Sequence, residues 1–456
     1  MRQWLRVWMS AVMLVIASQA ASAATFTVDS TVDKVDAKPG DGRCATDVGQ
    51  CTLRAAIQEA NEGGGGTIVL GPGTYTLSIK PDGGLPLAAT GDLDVYGALT
   101  IDGADAKTTI IDGGAVDRVV SVQVAARVTI SDVTIRNGKA PAGEDGGGIE
   151  NYGDLTLTDV VVSGNQTQSD NTESADAPGG GICNAATLQL RNCTITGNRA
   201  ADVGGGLHNK GILSMMMTTV SQNTTGTDKG GGVSNFNKAT IILSTIAGNT
   251  AVGAGGGIEN AGGMTLTHST ISGNTGENGG GIHNVGDLHM TDATIALNTA
   301  RKSGGAIVNE QNGSLTGSLK GNGLTIAANK AADRGGVVTI TPATLKLANS
   351  ILAGNIPGAC GGVLLSAGYN LIQDKGCRIA GSLTGVIRDT DPKLGPLADN
   401  GGPTQTMALL AGSPAIHAGN PATPGSGKGA CEQSDQRGIA RPSGVACDVG
   451  AFELGK

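Results

Sequence analysis

Apolar and polar positions alternate with period two over short runs of the chain, as in LTLTDVVV at 155–162 and KATIILSTI at 238–246, and this predicts strands rich in β-branched residues. Glycine-rich marks punctuate the runs. From Gly146 to Asn309 a Gly pair or triplet leads seven times into an aliphatic residue, one variable residue and an Asn: GGGIEN, GGGICN, GGGLHN, GGGVSN, GGGIEN, GGGIHN and GGAIVN. A second signature keeps the same beat, VSGN, ITGN, VSQN, IAGN, ISGN, IALN and IAAN, closing at Asn165, Asn198, Asn223, Asn249, Asn274, Asn298 and Asn329, with a degraded copy at Asn355.

Steps of 33, 25, 26, 25, 24 and 25 residues separate the aliphatic residues from Ile149 to Ile307, a repeat in the solenoid range. The glycines and the β-branched runs exclude helical repeats, and there is no Leu ladder. One coil of three short strands and three turns fits this length, with successive coils stacked roughly 4.8 Å apart. The expected fold is therefore all-β: a right-handed parallel β-helix, a solenoid of about 25 residues per coil. Equivalent residues then stack. The two Asn series read as amide ladders placed at turns, where Asn tolerates left-handed backbone.

The pattern divides the chain into a leader at 1–23, an N-terminal cap at 24–66, a solenoid at 67–390 whose regular part is 146–355, and a C-terminal cap at 391–456. The leader has Arg2 and Arg6, the apolar run Val7–Ala17 and a small-residue cleavage site at Ala21–Ala23. Within the N-terminal cap, CTLRAAIQEAN at 51–61 is the strong helix candidate, with Thr52 as cap and Leu53, Ala56, Ile57 and Ala60 on one face. Such a helix would cover the exposed end of the stacked strands. Asp435, Arg437, Arg441, Asp448 and Glu453 read as pairing partners in the C-terminal cap.

Several motifs resemble known families. PGDGRC followed by CTLRAAIQEAN resembles the CSLREA-type N-terminal region of secreted bacterial parallel β-helix proteins. The GGGI repeat is similar to that of polymorphic outer membrane protein passengers, which carry Phe where this chain has Ile or Val. TDPKLGPLADNGGPTQTMALLAGSPAIHAGN at 390–420, with DQRGIARP and CDVGAFEL, resembles the end region called choice-of-anchor Q, and His417 stands where that family shows Asp. The resemblance implies a β-helix with an exported surface or extracellular role and carries over no catalytic residues.

Charge and cysteines refine the picture. The formal charge of −8 becomes −10 once the two leader arginines are removed, which argues against nucleic acid as partner. No second apolar stretch predicts a transmembrane span in the mature chain, and nothing indicates an oligomeric state. Eight cysteines fall in four local couples, Cys44/Cys51, Cys183/Cys193, Cys360/Cys377 and Cys431/Cys447, as expected for disulfides in an oxidising compartment. The pair Cys183/Cys193 occupies two repeat positions that can face opposite sides of a coil.

Candidate chemistry gathers on the variable residue of GGG-I-x-N, which points outward between two inward positions. Stacking makes a column of Glu150, Cys183, His208, Ser234, Glu259, His283 and Val308, expected on the outer surface. Its titratable members Glu150, His208, Glu259 and His283 are the candidate catalytic set. Glu150 and Glu259 lie four rungs, roughly 19 Å, apart, too far for a two-carboxylate glycosidase. A polysaccharide lyase with His283 or His208 as base fits the fold better. Against it stand the acidic charge and the few aromatic residues, four Tyr and three Phe, for sugars to stack on. Asp29, Asp33, Asp36 and Asp41 around PGDG are weak Ca²⁺ candidates without EF-hand spacing, and no other cofactor is implied. The reading is an exported adhesion, binding or structural module with an extracellular polysaccharide or cell-surface component as partner. The alternative is a polysaccharide lyase or other carbohydrate-active enzyme.

Overall fold

Each repeat closes one coil, and the first illustrates the rest: strands Ile149–Asn151, Asp154–Thr158 and Val161–Ser163, then the short Gln166–Gln168. A computed structural model describes residues 24–82, 88–170, 177–374, 377–427 and 429–455. The expected leader at 1–23 lies outside them. Among the described residues the strands stack into long parallel sheets of 14, 13 and 11 members. The molecule is the expected parallel β-helix. Among the described residues no helix is long and apolar enough to cross a membrane.

The interior is built from aliphatic columns. Leu155 and Leu157 on the 14-stranded sheet, Val162 on the 13-stranded sheet and Ile149 on the 11-stranded sheet are almost wholly buried, and their counterparts repeat this along the regular coils except where Gly321 interrupts the Leu157 column. Burial of each such side chain contributes about 1.5–3 kcal/mol.

Both Asn series are ladders. Asn151, Asn184, Asn209, Asn235, Asn260 and Asn284 each donate from Nδ2 to the next Oδ1 at 2.7–2.8 Å, the last to Asn309. In the second series each Oδ1 from Asn198 to Asn355 accepts both the backbone N–H and the amide of the preceding rung, as Asn274 does from Asn249 at 2.9 and 3.0 Å, and Asn165 accepts the Gly138 N–H. The ladder asparagines themselves do not take the expected left-handed backbone. That conformation falls on the residue before the second ladder, for example Gly164, Gly248 and Leu297. The two signatures are also coupled. A Cβ on Gly257 would lie 2.9 Å from the Asn274 amide nitrogen and 2.7 Å from the Gly281 carbonyl, so the third glycine of each triplet leaves room for the second ladder.

The capping helix α1 spans Leu53–Glu62, and Thr52 Oγ1 accepts the Ala55 N–H at its start. Leu53, Ala56, Ile57 and Ala60 face the core as expected. Arg54 is buried too, pairing with Asp33 at 2.6 Å and donating to the carbonyls of Ala88, Gly91 and Asp92. The solenoid begins earlier than the helix, since Ala24–Val28 already pairs in parallel register with Gly66–Leu70.

The C-terminal segment folds back along the flank of the 13-stranded sheet. Thr270 donates to the Gln405 carbonyl, Thr294 to Gln436, and the Ala451 N–H donates to Thr325, so three successive rungs are clasped by residues more than 100 positions away. The charged residues singled out there do pair: Arg437 with Asp435, and Arg441 with Glu453 and with Asp292 of the solenoid.

Candidate functional site

The outward residues of GGG-I-x-N align in one unbroken column on the 11-stranded sheet, and strand pairing extends it upstream to Asp94 and Ser121 and downstream to Val338. Its expected exposure is wrong. Glu150, Cys183, His208, Ser234, Glu259, His283 and Val308 are all buried, with at most 7% of their surface accessible. Side chains just after the first ladder lie over them: Tyr152 bonds to Glu150, the Phe236 ring packs against His208 at 5.3 Å, and Glu310 covers His283. Period-two alternation assigns the side of a strand correctly, but side chains from other positions of the coil decide whether that side meets water.

His283 is held between two carboxylates. Nδ1 lies 2.5 Å from Glu259 and Nε2 2.7 Å from Glu310, and Lys229 stands 3.7 Å from Glu259. Burial opposes the imidazolium, yet Glu259 and Glu310 outweigh it and lift the pKa to about 9. At neutral pH both ring nitrogens therefore donate. His208 is the opposite case: burial, with Lys210 nearby, lowers its pKa to about 3. Its Nδ1 has no hydrogen-bond partner among the described residues. A base must be unprotonated and within reach of substrate. His283 fails on the first count and His208, only 3% exposed, on the second.

The column opens at its N-terminal end. Asp94, Ser121 and Glu150 line a cavity of about 360 Å³ together with Asp92, Asp117 and Arg118. Arg118 is the hub, donating to Glu150 and Glu144 and lying 3.6 Å from Asp92. Asp117 accepts the Asp92 N–H, and Asp94 accepts from Gln123 at 2.8 Å. Burial, and then the charge of Asp94, raise the Asp92 carboxyl to about 8 against the pull of Arg118. Asp94, Asp117 and Glu150 are also raised, chiefly by burial. The cavity thus combines a carboxyl that stays protonated at neutral pH with a buried guanidinium. Only Glu150 of this group stood out in the sequence. Asp92, Asp94, Asp117 and Arg118 belong to early coils without the glycine mark.

The Ca²⁺ candidates do not converge. Asp29 accepts the Cys51 N–H, Asp33 pairs with Arg54, Asp36 accepts the Lys38 and Ala45 N–H groups, and Asp41 accepts the Arg43 N–H. Each carboxylate fixes its own loop, and among the described residues no cluster of three His, Cys, Asp or Glu is arranged for a metal. Cys44–Cys51, Cys360–Cys377 and Cys431–Cys447 are disulfides, as suits an oxidising compartment. The expected Cys183–Cys193 bridge is absent and both thiols are free. Cys183 lies on the outer column beside Asp145, whereas Cys193 belongs to the core inside the coil, so the sheet separates them.

No family model and no curated protein matches the chain. Among solved structures, the crystal structure of pectate lyase Pel9A is similar over 94% of this chain and 97% of that one, with a TM-score of 0.43 and 14% sequence identity. That likeness bears on neither site nor substrate.

Proposed function

We propose that the protein is an exported β-helix acting as an extracellular or cell-surface binding and structural module. The observation that carries this reading is the sealed column: His283 is locked as a cation between Glu259 and Glu310, and the other repeat residues are equally enclosed. Most of the repeat is thus devoted to a stable rod. Three disulfides and the leader-like segment at 1–23 support export, and the CSLREA-like and choice-of-anchor Q-like motifs fit a protein displayed outside the cell. The partner in this reading is an extracellular polysaccharide or other surface component. The test is retention of the purified mature chain on a panel of insoluble polysaccharides. Retention without release of new reducing ends is expected, and absence of retention on every member would overturn the reading.

A second reading, a carbohydrate-active enzyme, draws on the cavity around Arg118. In this reading a protonated Asp92 beside other carboxyls supplies the acid for cleaving a neutral glycan. New reducing ends formed by the wild type and lost in Asp92→Asn would promote it above the first.

A further inference from the structure

We propose that the C-terminal part of the 14-stranded sheet carries a binding groove for a uronate-bearing polysaccharide strand, an inference that deepens the binding-module reading. The outward column of this sheet is neutral for eight rungs, as Thr67, Thr100, Thr129, Thr156, Gln189, Ser214, Thr240 and Thr265. It then turns basic on three successive rungs: His289, Lys320 and Lys346 stand in register, followed by Leu365. The change coincides with a groove of about 810 Å³ that all four residues line.

Like charges directly opposite on neighbouring strands destabilise a sheet. Lys320 and Lys346 have no acidic partner at ion-pair distance among the described residues, and His289 has only Asp287, at 3.9 Å. In a chain of net charge −8, an uncompensated cationic row beside a groove is complementary to an anion. The spacing names its form. Rungs roughly 4.8 Å apart are close to the advance of one sugar residue along an extended glycan, so a strand laid along the column brings its carboxylates within reach of Lys320 and Lys346. The next outward column offers Thr291 and Ser382 for sugar hydroxyls, and Ala367 for a sugar C–H face. Two lysines in an acidic protein are too few for a nucleic acid, whose affinity grows with the number of phosphates neutralised.

The wall of the groove is built. Asn322 donates to the Ala430 carbonyl at 2.8 Å, Asn349 and Asn420 donate to the Gly429 carbonyl at 2.9 and 2.8 Å, and the Cys431–Cys447 bridge ties this segment down. Glu432, 3.2 Å from Asn322, bounds the site on that side. A preformed wall lowers the ordering cost of binding.

Affinity electrophoresis of the full mature chain tests the assignment, with polygalacturonate, neutral galactan and double-stranded DNA in separate gels. Polygalacturonate should retard the wild type in a salt-sensitive way, and the double variant Lys320→Gln/Lys346→Gln, with unchanged circular dichroism, should bind at least about tenfold more weakly. Lys238→Gln, an exposed lysine on the same sheet outside the groove, should bind as the wild type does. Unchanged retardation of the double variant would overturn the groove, as would DNA retardation equal to that by polygalacturonate. Retardation by galactan but not polygalacturonate would remove this inference and leave the binding-module reading standing, whereas no retardation in any gel, with no retention on the insoluble panel, would remove both.

Discussion

Glu150 and Glu259 hold the same place in the same repeat four rungs apart, yet their surroundings differ in kind. Glu259 is closed in by His283 and Lys229, with 3% of its side chain accessible. Glu150 meets Arg118 at the edge of a cavity into which Asp92, Asp94 and Asp117 also project. The backbone register is identical, so the difference arises in what covers the column. Downstream, Phe236 and Glu310 lie over it. Upstream, the coils lack the glycine mark, and segments carrying Pro81 and Pro141 form the rim of the cavity. A repeat can therefore place a row of polar side chains without making a site of it; the irregular coils provide the opening.

Removing His283 is the most severe way to probe the closed end. His283→Ala leaves two buried or half-buried carboxylates without their cation and should cost about 3–5 kcal/mol in urea melts at pH 7. A loss near zero would mean that the triad is solvated after all. Next come the ladders. Asn260→Ala and Asn329→Ala should each cost about 1–3 kcal/mol, and by similar amounts. Both amides are fully buried; Asn329 donates to Ala327, Ile295 and Asn355, although it stands next to the degraded last copy. A much smaller loss at Asn329 would show that the ladder weakens toward its end.

The two ends should also titrate differently. The folded pKa of His283, about 9, lies above its unfolded value of about 6.5. Its stabilisation is therefore complete below pH 6.5 and is lost as pH rises through 9, so the advantage of wild type over His283→Gln should shrink across that window. Asp92, raised to about 8 from 3.8, acts lower: its contribution is full below about pH 4 and is lost as pH rises through 8. Asp92→Asn should therefore gain on the wild type between pH 4 and 8 in chemical melts, and a gap that stays constant would contradict the buried carboxyl. The smallest effect concerns thiols. Ellman titration in non-reducing denaturant should find two, lost in Cys183→Ser/Cys193→Ser, with little change in activity of any binding assay.

The architecture was legible because stacking forces it: a strict beat, two Asn series and a glycine triplet that clears space for an amide leave few alternatives. Thr52 and the apolar face of 53–60 located the capping helix for the same local reasons. Burial of the column was not legible, since Phe236 and Glu310 are separated from His208 and His283 by more than a coil's length of sequence. Arg118 reaches Glu150 across 32 residues, from a coil with no repeated mark. The basic row was hidden by spacing. The hairpin Gln311–Asn312 with Leu315–Thr316 lengthens one coil, so His289 and Lys320 align although 31 residues apart rather than 25. The Cys183–Cys193 pairing failed because sequence proximity ignores which side of a sheet each residue faces.

The central claim is that the repeat's column is a sealed structural element, and side-chain NMR of the two column histidines tests it most directly. Following the imidazole resonances of His283 and His208 against pH should show His283 protonated through neutrality and titrating at about 9, with His208 remaining neutral until about pH 3 or until the fold is lost. Two ordinary titrations near 6.5, in a chain that stays folded, would contradict it.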